Sequence, residues 1–249
     1  MSRPELTVSV VSHRHGPIVA ELMSDLARLC AGYIEVILTI NTPEPLDLAL
    51  RDFPFPLTLV RNDEPRGFGA NHNSAFRRSR ADRFCVVNPD LRLFMDPFPA
   101  LLEALRSPDI GVAAPLVRDP QGRIEDSARR FPTVGVLLRK LAGFNLPLDY
   151  AFDVPLVFPD WVAGMCMAFR SEVFGSLGGF DERYYLYYED VDLCARVRGL
   201  RLRIAVVTAA TVIHDARRAS RHDLRHALWH ARSALRYFRK APQTTLPHA

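Results

Sequence analysis

Residues 180–199, FDERYYLYYEDVDLCARVRG, combine five carboxylate side chains with four tyrosines. Carboxylates are costly to bury unless they are paired or used, so folding alone does not explain this composition. Glu189 and Asp190 stand at the start of a predicted helix, directly after the tyrosines. A carboxylate partly screened from water there could accept a proton from a sugar hydroxyl. The tyrosines and Trp161 could offer flat faces to a sugar ring, or serve half as core and half as wall.

The other carboxylates of this stretch have simpler explanations. Asp181 and Glu182 follow a Gly-Gly turn, where acidic residues are common in loops and caps. Asp192 precedes Arg196 by four positions, which favours an ion pair within a helix.

Two further positions could hold a cation or a phosphate. Asp90, in VVNPDLRL, follows a buried strand and could bind a hard divalent cation that bridges two phosphates. Asn-Pro-Asp is also good turn chemistry, so a plain turn remains the alternative. His214 ends an apolar strand and could be a metal ligand, a phosphate contact or a surface histidine.

A glycine-containing loop, EPRGFGANHNSAF, precedes a predicted helix. Gly67 and Gly69 would let its backbone approach a phosphate or a sugar closely. The loop does not match the dinucleotide-binding pattern G-x-G-x-x-G, because the third glycine position is His72.

The elements that must position these residues alternate between strand and helix patterns over the first half of the chain. This alternation predicts βαβ units and a parallel sheet. Polar runs after three strands, SHRHG, NTPEP and NPDLR, should therefore meet beyond the carboxyl ends of the strands. The predicted strands are 6–12, 34–40, 57–62, 83–90 and 110–117, and the predicted helices are 17–30, 69–80 and 98–106.

The second half of the chain is less regular. Residues 118–159 are predicted to be rich in loops and residues 160–170 to form a strand. Ser171 is predicted to cap a short helix that ends in glycines. A helix ending at Gly199 and one or two strands up to His214 follow. The last helix is predicted over about 221–239, with an apolar face made of Leu224, Leu228, Leu235 and Phe238. No linker is evident, so the sequence favours one domain over residues 1–249.

Composition excludes several classes of protein. The 249 residues are 48% hydrophobic and 24% charged, as in ordinary globular domains. The longest apolar run, 204–213, is too short to cross a membrane, and no signal peptide is read at the start, so a cytoplasmic location is expected. The cysteines form no CxxC pair, which argues against a zinc site or a disulfide framework; they are Cys30, Cys85, Cys166 and Cys194.

Charge is unevenly distributed. The net charge is +4, but residues 217–240 hold eight arginine and lysine residues and three histidines against one aspartate. This asymmetry predicts an anionic partner: a phosphate, a nucleic acid or an anionic membrane face. A solvated helix face is the plain alternative. A nucleic-acid-binding module would leave the carboxylates at 189–192 unexplained, because they repel phosphate unless a metal is present.

Taken in order, these motifs resemble the family 2 inverting glycosyltransferases with the GT-A fold, and within them the rhamnosyltransferase-like branch of bacterial cell-surface polysaccharide synthesis. The resemblance runs from about residue 6 to residue 240. It is most specific in one long block, DWVAGMCMAFRSEVFGSLGGFDERYYLYYEDVDLCARV, and weakest over 118–155. It implies an α/β fold with a mostly parallel mixed sheet flanked by helices.

The resemblance also implies roles for individual residues. Asp190 would be the general base of the family's ED motif, and Asp90 would hold a divalent cation, Mg²⁺ or Mn²⁺, with His214 completing the site. The residues expected to bind the nucleotide sugar are Ser12, His13, Asn41, Arg66, Gly67, Gly69, Asn71, Asn88 and Asp90. Those expected to bind the acceptor are Trp161, Gly164, Tyr187 and Glu189.

The substrates follow from the same resemblance. The implied donor is dTDP-rhamnose rather than a uridine-linked hexose, and the implied acceptor is a saccharide or a polyprenol-diphosphate-linked saccharide. The basic last helix would touch that diphosphate or the cytoplasmic face of the membrane. The run TINTPEP departs from the family, which often carries an aspartate where Asn41 stands, and SHRHG is unusually rich in histidine. A catalytically inactive subunit that binds a nucleotide sugar is the second interpretation.

Overall fold

The computed structural model describes residues 3–44, 53–144, 146–215 and 224–240. Within these ranges the chain forms eleven strands and seven helices. The strands are β1 (Leu6–Ser12), β2 (Ile34–Ile40), β3 (Leu57–Arg61), β4 (Arg83–Val87), β5 (Leu91–Arg92), β6 (Ile110–Arg118), β7 (Ala128–Arg129), β8 (Leu156–Val157), β9 (Trp161–Val162), β10 (Cys166–Arg170) and β11 (Arg203–His214). The helices are α1 (Gly16–Leu29), α2 (Phe68–Phe76), α3 (Phe98–Ala104), α4 (Val134–Leu141), α5 (Ser171–Ser176), α6 (Glu189–Gly199) and α7 (Leu224–Lys240).

The central sheet is mixed and mostly parallel, as predicted. Its order is β3-β2-β1-β4-β10-β6-β11-β5, and β8 adds to β11. Strands β3, β2, β1 and β4 are mutually parallel, as are β6 and β11, whereas β10 runs antiparallel between β4 and β6. The carboxyl ends of β1, β2 and β4 therefore lie side by side, which is where the polar runs follow.

Apolar side chains cover both faces of this sheet. One cluster joins the sheet to α1 and α3 through residues such as Leu22, Leu26 and Leu101. A second cluster on the other face contains Phe84, Phe174 and residues of α6. Helices on both faces bury the inner strands β1, β2 and β4 almost entirely, which is why these strands are continuous apolar runs in the sequence.

Two local predictions were wrong. The predicted strand over 160–170 is two strands, β9 and β10, separated by a turn at 163–165. Ser171 is the first residue of α5 rather than its cap, and its hydroxyl donates to the carbonyl of Ala81. The region 118–159, predicted to be rich in loops, contains the elements β7, α4 and β8 between its loops.

The apolar face predicted for the last helix also needs correction. Leu228 is 56% exposed and Leu235 is 53% exposed, whereas Ala234 and Tyr237 are buried. The face of α7 that packs on the protein is aromatic and small, because it meets the tyrosines of 184–188 in a separate cluster. The predicted start at 221–223 lies outside the described residues, as does the side chain of Leu224.

Candidate functional site

A hydrogen-bond network joins the polar ends of β1, β2 and β3 to the start of α2. Asn41 is its centre: its amide nitrogen donates to His13 Nδ1 at 3.1 Å and to the carbonyl of Arg66 at 2.9 Å. Its oxygen accepts from the Arg66 N–H at 2.8 Å and from Asn62 at 2.9 Å. Asn62 also donates to Asn71 at 2.7 Å. The structure thus brings together residues predicted to bind the nucleotide sugar.

Two further members of this group lie on β1 and its loop. Ser12 accepts the Asn41 N–H through its carbonyl, and its hydroxyl accepts the His15 N–H at 3.3 Å. Burial and the neighbouring charges of His15 and Arg14 lower the pKa of His13. A neutral His13 can accept the hydrogen bond from Asn41, which holds the loop in place.

The structure explains why positions 67 and 69 are glycine, which the sequence alone did not reveal. A Cβ on Gly67 would lie 2.7 Å from the carbonyl oxygen of Tyr185, and one on Gly69 would lie 2.6 Å from Cβ of Phe180. The N–H of Phe68 donates to the same Tyr185 carbonyl at 2.9 Å. Both glycines are buried against the tyrosine-rich segment. Because they have no side chain, the start of α2 can pack closely on that segment. Their contact with a nucleotide sugar stays a prediction.

Asp90 and His214 lie side by side, although 124 positions separate them. His214 Nε2 is 3.2 Å from Asp90 Oδ2, and its Nδ1 is 2.7 Å from Glu125 Oε2. Strand β11 brings His214 next to β5, and β5 follows directly after the Asn88-Pro89-Asp90 turn. The N–H of Asn88 donates to the Met165 carbonyl, which ties this turn to the approach to β10.

This pair suits a divalent cation. Asp90 Oδ1 is buried and has no hydrogen-bond partner among the described residues, so one carboxylate oxygen points into the site unused. Burial alone would lower the pKa of His214, but the carboxylates of Asp90 and Glu125 outweigh it and raise the pKa to about 9. A position that stabilises a positive charge on His214 would likewise stabilise a bound cation, with Glu125 orienting the imidazole.

The described residues contain no cluster of three or more His, Cys, Asp or Glu side chains that could hold a metal on its own. A hard cation such as Mg²⁺ commonly uses one or two protein carboxylates and takes its other ligands from substrate phosphates and water. Asp90 fits that pattern, and His214 places an imidazole nitrogen beside it.

Asp190 lies at the first turn of α6 with both oxygens fixed. Oδ2 accepts the N–H of Gly164 at 2.9 Å, and Oδ1 accepts the N–H of Val191 at 2.8 Å. Burial raises the pKa of Asp190, although these backbone hydrogen bonds and the charge of Arg129 oppose the shift. Gly164, predicted to bind the acceptor, therefore holds the carboxylate.

Glu189 is almost completely buried beside Asp190. Burial and the neighbouring Asp190 charge raise its pKa well above the usual value. Its Oε2 has no partner among the described residues. Two adjacent carboxyl groups whose pKa values are raised by burial are typical of a functional site rather than a structural one.

The turn before these carboxylates is strained. Tyr187 and Tyr188 both have positive φ angles, 71° and 66°, which are unusual for residues other than glycine. Helix α7 holds the turn: Ser233 donates to the carbonyl of Leu186 at 2.9 Å, and the Tyr187 hydroxyl is 2.9 Å from Nδ1 of His226. Strain that is maintained by surrounding contacts is common where side chains must be aimed.

A cavity of about 490 Å³ opens above Asp190. It is lined by Glu189, Trp161, Tyr187 and Tyr188, together with part of the 126–149 region. Tyr184, in contrast, is fully buried in the core, and Tyr185 faces another cavity beside α7. Two of the four tyrosines thus line the cavity above Asp190 and two do not, which matches the alternative that only half of them form a wall.

Sequence reasoning missed several residues of this site. Arg129 lies near Asp190 and places its guanidinium 5.8 Å from the centre of the Trp161 ring. Glu125 orients His214, and His230 of α7 lines the cavity. Arg129 and Glu125 both fall in the region read as loop, where no periodic pattern marked them.

Comparisons with known proteins identify the family of this chain. The model of the family "Glycosyl transferase family 2" matches residues 7–172. An N-acetylglucosaminyl-diphospho-decaprenol L-rhamnosyltransferase of Mycobacterium tuberculosis is 29% identical over 256 residues, covering 92% of this chain and 82% of that protein. Rhamnosyltransferase WbbL of Escherichia coli K12 is 30% identical over 244 residues, covering 92% and 91%.

Solved structures share the fold. The mannosyltransferase PcManGT of Pyrobaculum calidifontis, in complex with GDP-Man and Mn²⁺, superposes with a TM-score of 0.68 at 17% identity. It is matched over 100% of this chain and 67% of its own length. The family match covers most of the central sheet, including the Asp90 turn and Trp161. The similarity to the two rhamnosyltransferases covers 92% of this chain and so also includes α6. This chain therefore belongs to glycosyl transferase family 2 and is a glycosyltransferase with the GT-A fold.

Proposed function

We propose that this enzyme transfers L-rhamnose from dTDP-rhamnose to a saccharide carried on a polyprenol diphosphate, with inversion at the anomeric carbon. The observation that carries the proposal is Asp190, whose carboxylate is held by two backbone N–H groups at the base of an aromatic-walled cavity. The names of the mycobacterial and E. coli relatives support rhamnose as the sugar, and the mycobacterial name supports the lipid-linked acceptor.

The reaction is a single in-line displacement. The acceptor oxygen bonds to the anomeric carbon as the bond from that carbon to the diphosphate oxygen breaks. The hydroxyl proton passes to the Asp190 carboxylate, whose raised pKa makes it a stronger base than an ordinary aspartate. Trp161 and the Tyr187–Tyr188 turn hold the acceptor sugar over the carboxylate, while the Asn41 network positions the nucleotide and leaves the diphosphate near Asp90.

Asp90 and His214 would hold a divalent cation, Mg²⁺ or Mn²⁺. When bound, that cation would offset the negative charge that develops on the departing diphosphate. The unused Asp90 oxygen and the oriented imidazole support this assignment.

A lipid-linked acceptor requires the enzyme to work at a membrane surface. No helix among the described residues is long and apolar enough to cross a bilayer. From the lipid-linked acceptor alone, we infer that the enzyme works as a peripheral protein at the cytoplasmic face of that membrane. The whole chain, with α7 packed across the acceptor side, would act as one glycosyltransferase domain.

The test is product analysis with the full chain, a synthetic polyprenol-diphosphate saccharide, and dTDP-rhamnose or UDP-hexose donors, each with and without Mn²⁺. Metal-dependent transfer from dTDP-rhamnose, with an inverted anomeric configuration by NMR, is expected. Transfer only from a UDP-sugar would overturn the donor assignment. Donor binding with neither transfer nor donor hydrolysis would instead identify an inactive subunit.

A further inference from the structure

A second cavity, of about 840 Å³, lies between α7 and the 183–185 turn. It is lined by Arg232, Arg236 and Arg239 of the helix, together with Leu235. Tyr185 and Trp229 also line it, and their rings contact each other at a tilt, with centres 4.8 Å apart. None of these residues takes part in the proposed transfer step.

The cavity has an excess of positive charge. No acidic side chain of the described residues lines it. Arg183 and Lys240, which also border it, are neutralised by Asp181 at 2.6 Å and Asp192 at 2.6 Å. The three arginines of the helix make no such ion pair within the described residues. Residues 216–223 and 241–249 contribute only one acidic side chain by sequence, Asp223. Three adjacent guanidinium groups repel one another unless an anion binds between them.

The exposed face of α7 is apolar as well as basic. Leu228 and Leu235 are each more than half exposed, and they alternate with Arg232 and Arg239 at helical spacing. A soluble phosphate or a nucleotide would gain nothing from exposed leucines. A helix that presents leucine and tryptophan among arginines is the pattern of segments that lie in the plane of an anionic bilayer.

The opposite side of the same helix faces the acceptor cavity. His230 lines that cavity beside Asp190, whereas Trp229 and Arg232, one and two residues away along the helix, line the basic side. Exposed apolar residues also flank the acceptor cavity on the 134–148 segment, where Leu138 and Phe144 are each 60% exposed. A membrane bound at α7 would therefore lie next to the entrance through which a lipid-linked acceptor must come.

We infer that the cavity formed by Arg232, Arg236 and Arg239 binds the phosphate headgroups of an anionic bilayer, with Leu228 and Leu235 in the acyl boundary. This inference rests on the proposed lipid-linked acceptor, and it assigns a residue-level site to the membrane contact.

The experiment is flotation of the full chain with vesicles of phosphatidylcholine alone or mixed equally with phosphatidylglycerol. Wild-type protein should bind the anionic vesicles and be released by salt. Arg232→Gln/Arg236→Gln/Arg239→Gln should weaken that binding on the order of 100-fold. The control, Arg61→Gln/Arg106→Gln/Arg201→Gln, removes the same charge from outside α7 and should bind almost as wild type does.

A second variant, Leu228→Ser/Leu235→Ser, keeps the charge and should weaken vesicle binding about tenfold or more. Binding of dTDP, measured on each variant by calorimetry, should not change. Equal binding to neutral vesicles, equal loss in both arginine triples, or tighter binding to single-stranded RNA than to vesicles would overturn the inference. Failure of vesicle binding with intact dTDP binding overturns it while leaving the proposed function standing. Intact vesicle binding without dTDP binding overturns the proposed function and leaves the membrane contact standing.

Discussion

At the scale of single residues, the site depends on how three carboxylates are held. Asp190 is fixed by backbone donors, and Glu125 contacts His214. Asp90 keeps one buried oxygen that has no hydrogen-bond partner in the described part of the chain. Each of these arrangements suits one step of the proposed chemistry. Each can be tested by replacing the carboxylate with the amide of the same size.

Asp190→Asn should lower kcat by about 10²–10⁴-fold, because the amide cannot accept the acceptor proton. The Kd for dTDP should stay within about twofold, since Asp190 does not contact the donor network. Steady-state kinetics and calorimetry measure the two effects, with exposed Glu172→Gln as the control. A variant that retained more than a few percent of turnover would exclude Asp190 as the base.

Glu125→Gln should weaken Mn²⁺ binding about 10–100-fold, because a carboxylate that orients a metal-binding imidazole contributes roughly that much. Titration of Mn²⁺ followed by electron paramagnetic resonance checks this without any turnover. Glu103→Gln, which removes an exposed carboxylate paired with Arg106, should leave Mn²⁺ binding unchanged. Unaltered affinity in Glu125→Gln would mean that Glu125 has no role in the cation site.

Glu189→Gln should stabilise the fold at about pH 8 but not near pH 4.5. The pKa of Glu189 is raised in the folded protein, so the folded state binds more protons than the unfolded chain, and stability falls as the pH rises above the ordinary value of 4.5. A neutral glutamine avoids that loss. Denaturant unfolding at both pH values tests this expectation; equal effects at both would contradict it.

At the scale of secondary structure, the turn that leads into the tyrosine-rich segment is held by α2. Asn73 donates to the Phe180 carbonyl at 2.9 Å and accepts the Phe180 N–H at 2.9 Å. Gly178 and Gly179 both have positive φ angles, but only Gly179 contacts Asn73 closely. The exit from α5 therefore determines where residues 180–189 begin.

Gly179→Ala should cost clearly more stability than Gly178→Ala. Both residues have nearly the same φ, 71° and 69°, so the left-handed conformation costs each alanine about 1–2 kcal/mol. A Cβ at Gly179 would also lie 2.2 Å from Asn73 Oδ1, whereas one at Gly178 meets nothing within 4 Å. The free energy of unfolding measured by denaturant compares the two; similar losses would show that the Asn73 contact relaxes at little cost.

At the scale of the whole molecule, the proposed donor site and the proposed cation site lie at one edge of the sheet but come from opposite ends of the chain. Asn41 and Arg66 belong to the first third, and His214 follows the last strand of the sheet. A ligand that uses both should therefore stabilise the entire fold rather than one segment.

In a thermal-shift experiment, dTDP with Mn²⁺ should raise Tm more than either component alone. At about 100 times its Kd, a ligand stabilises the folded state by roughly 2.7 kcal/mol. GDP and UDP serve as matched nucleotides, and Asp90→Asn should remove the Mn²⁺-dependent part. A larger shift with UDP than with dTDP would overturn the donor assignment, and a shift that does not depend on Mn²⁺ would overturn the cation site.

The sequence alone determined the alternation of strands and helices, the convergence of polar runs at one sheet edge, and the start of α6 with its acidic first turn. These features depend on short-range patterns: periodic burial, glycine positions and charges near helix ends. The resemblance to the family rested on the same local motifs, and the family match confirms it.

Only the tertiary structure decided the partners of those motifs. The contact of Glu125 with His214, the role of Gly164 as a donor to Asp190, and the packing of Gly69 on Phe180 each join residues far apart in the chain. Likewise, Leu228 and Leu235 lie outward because the inner face of α7 must accommodate the bulky tyrosine turn. Helical periodicity shows which residues share a face, but what that face meets depends on the rest of the fold.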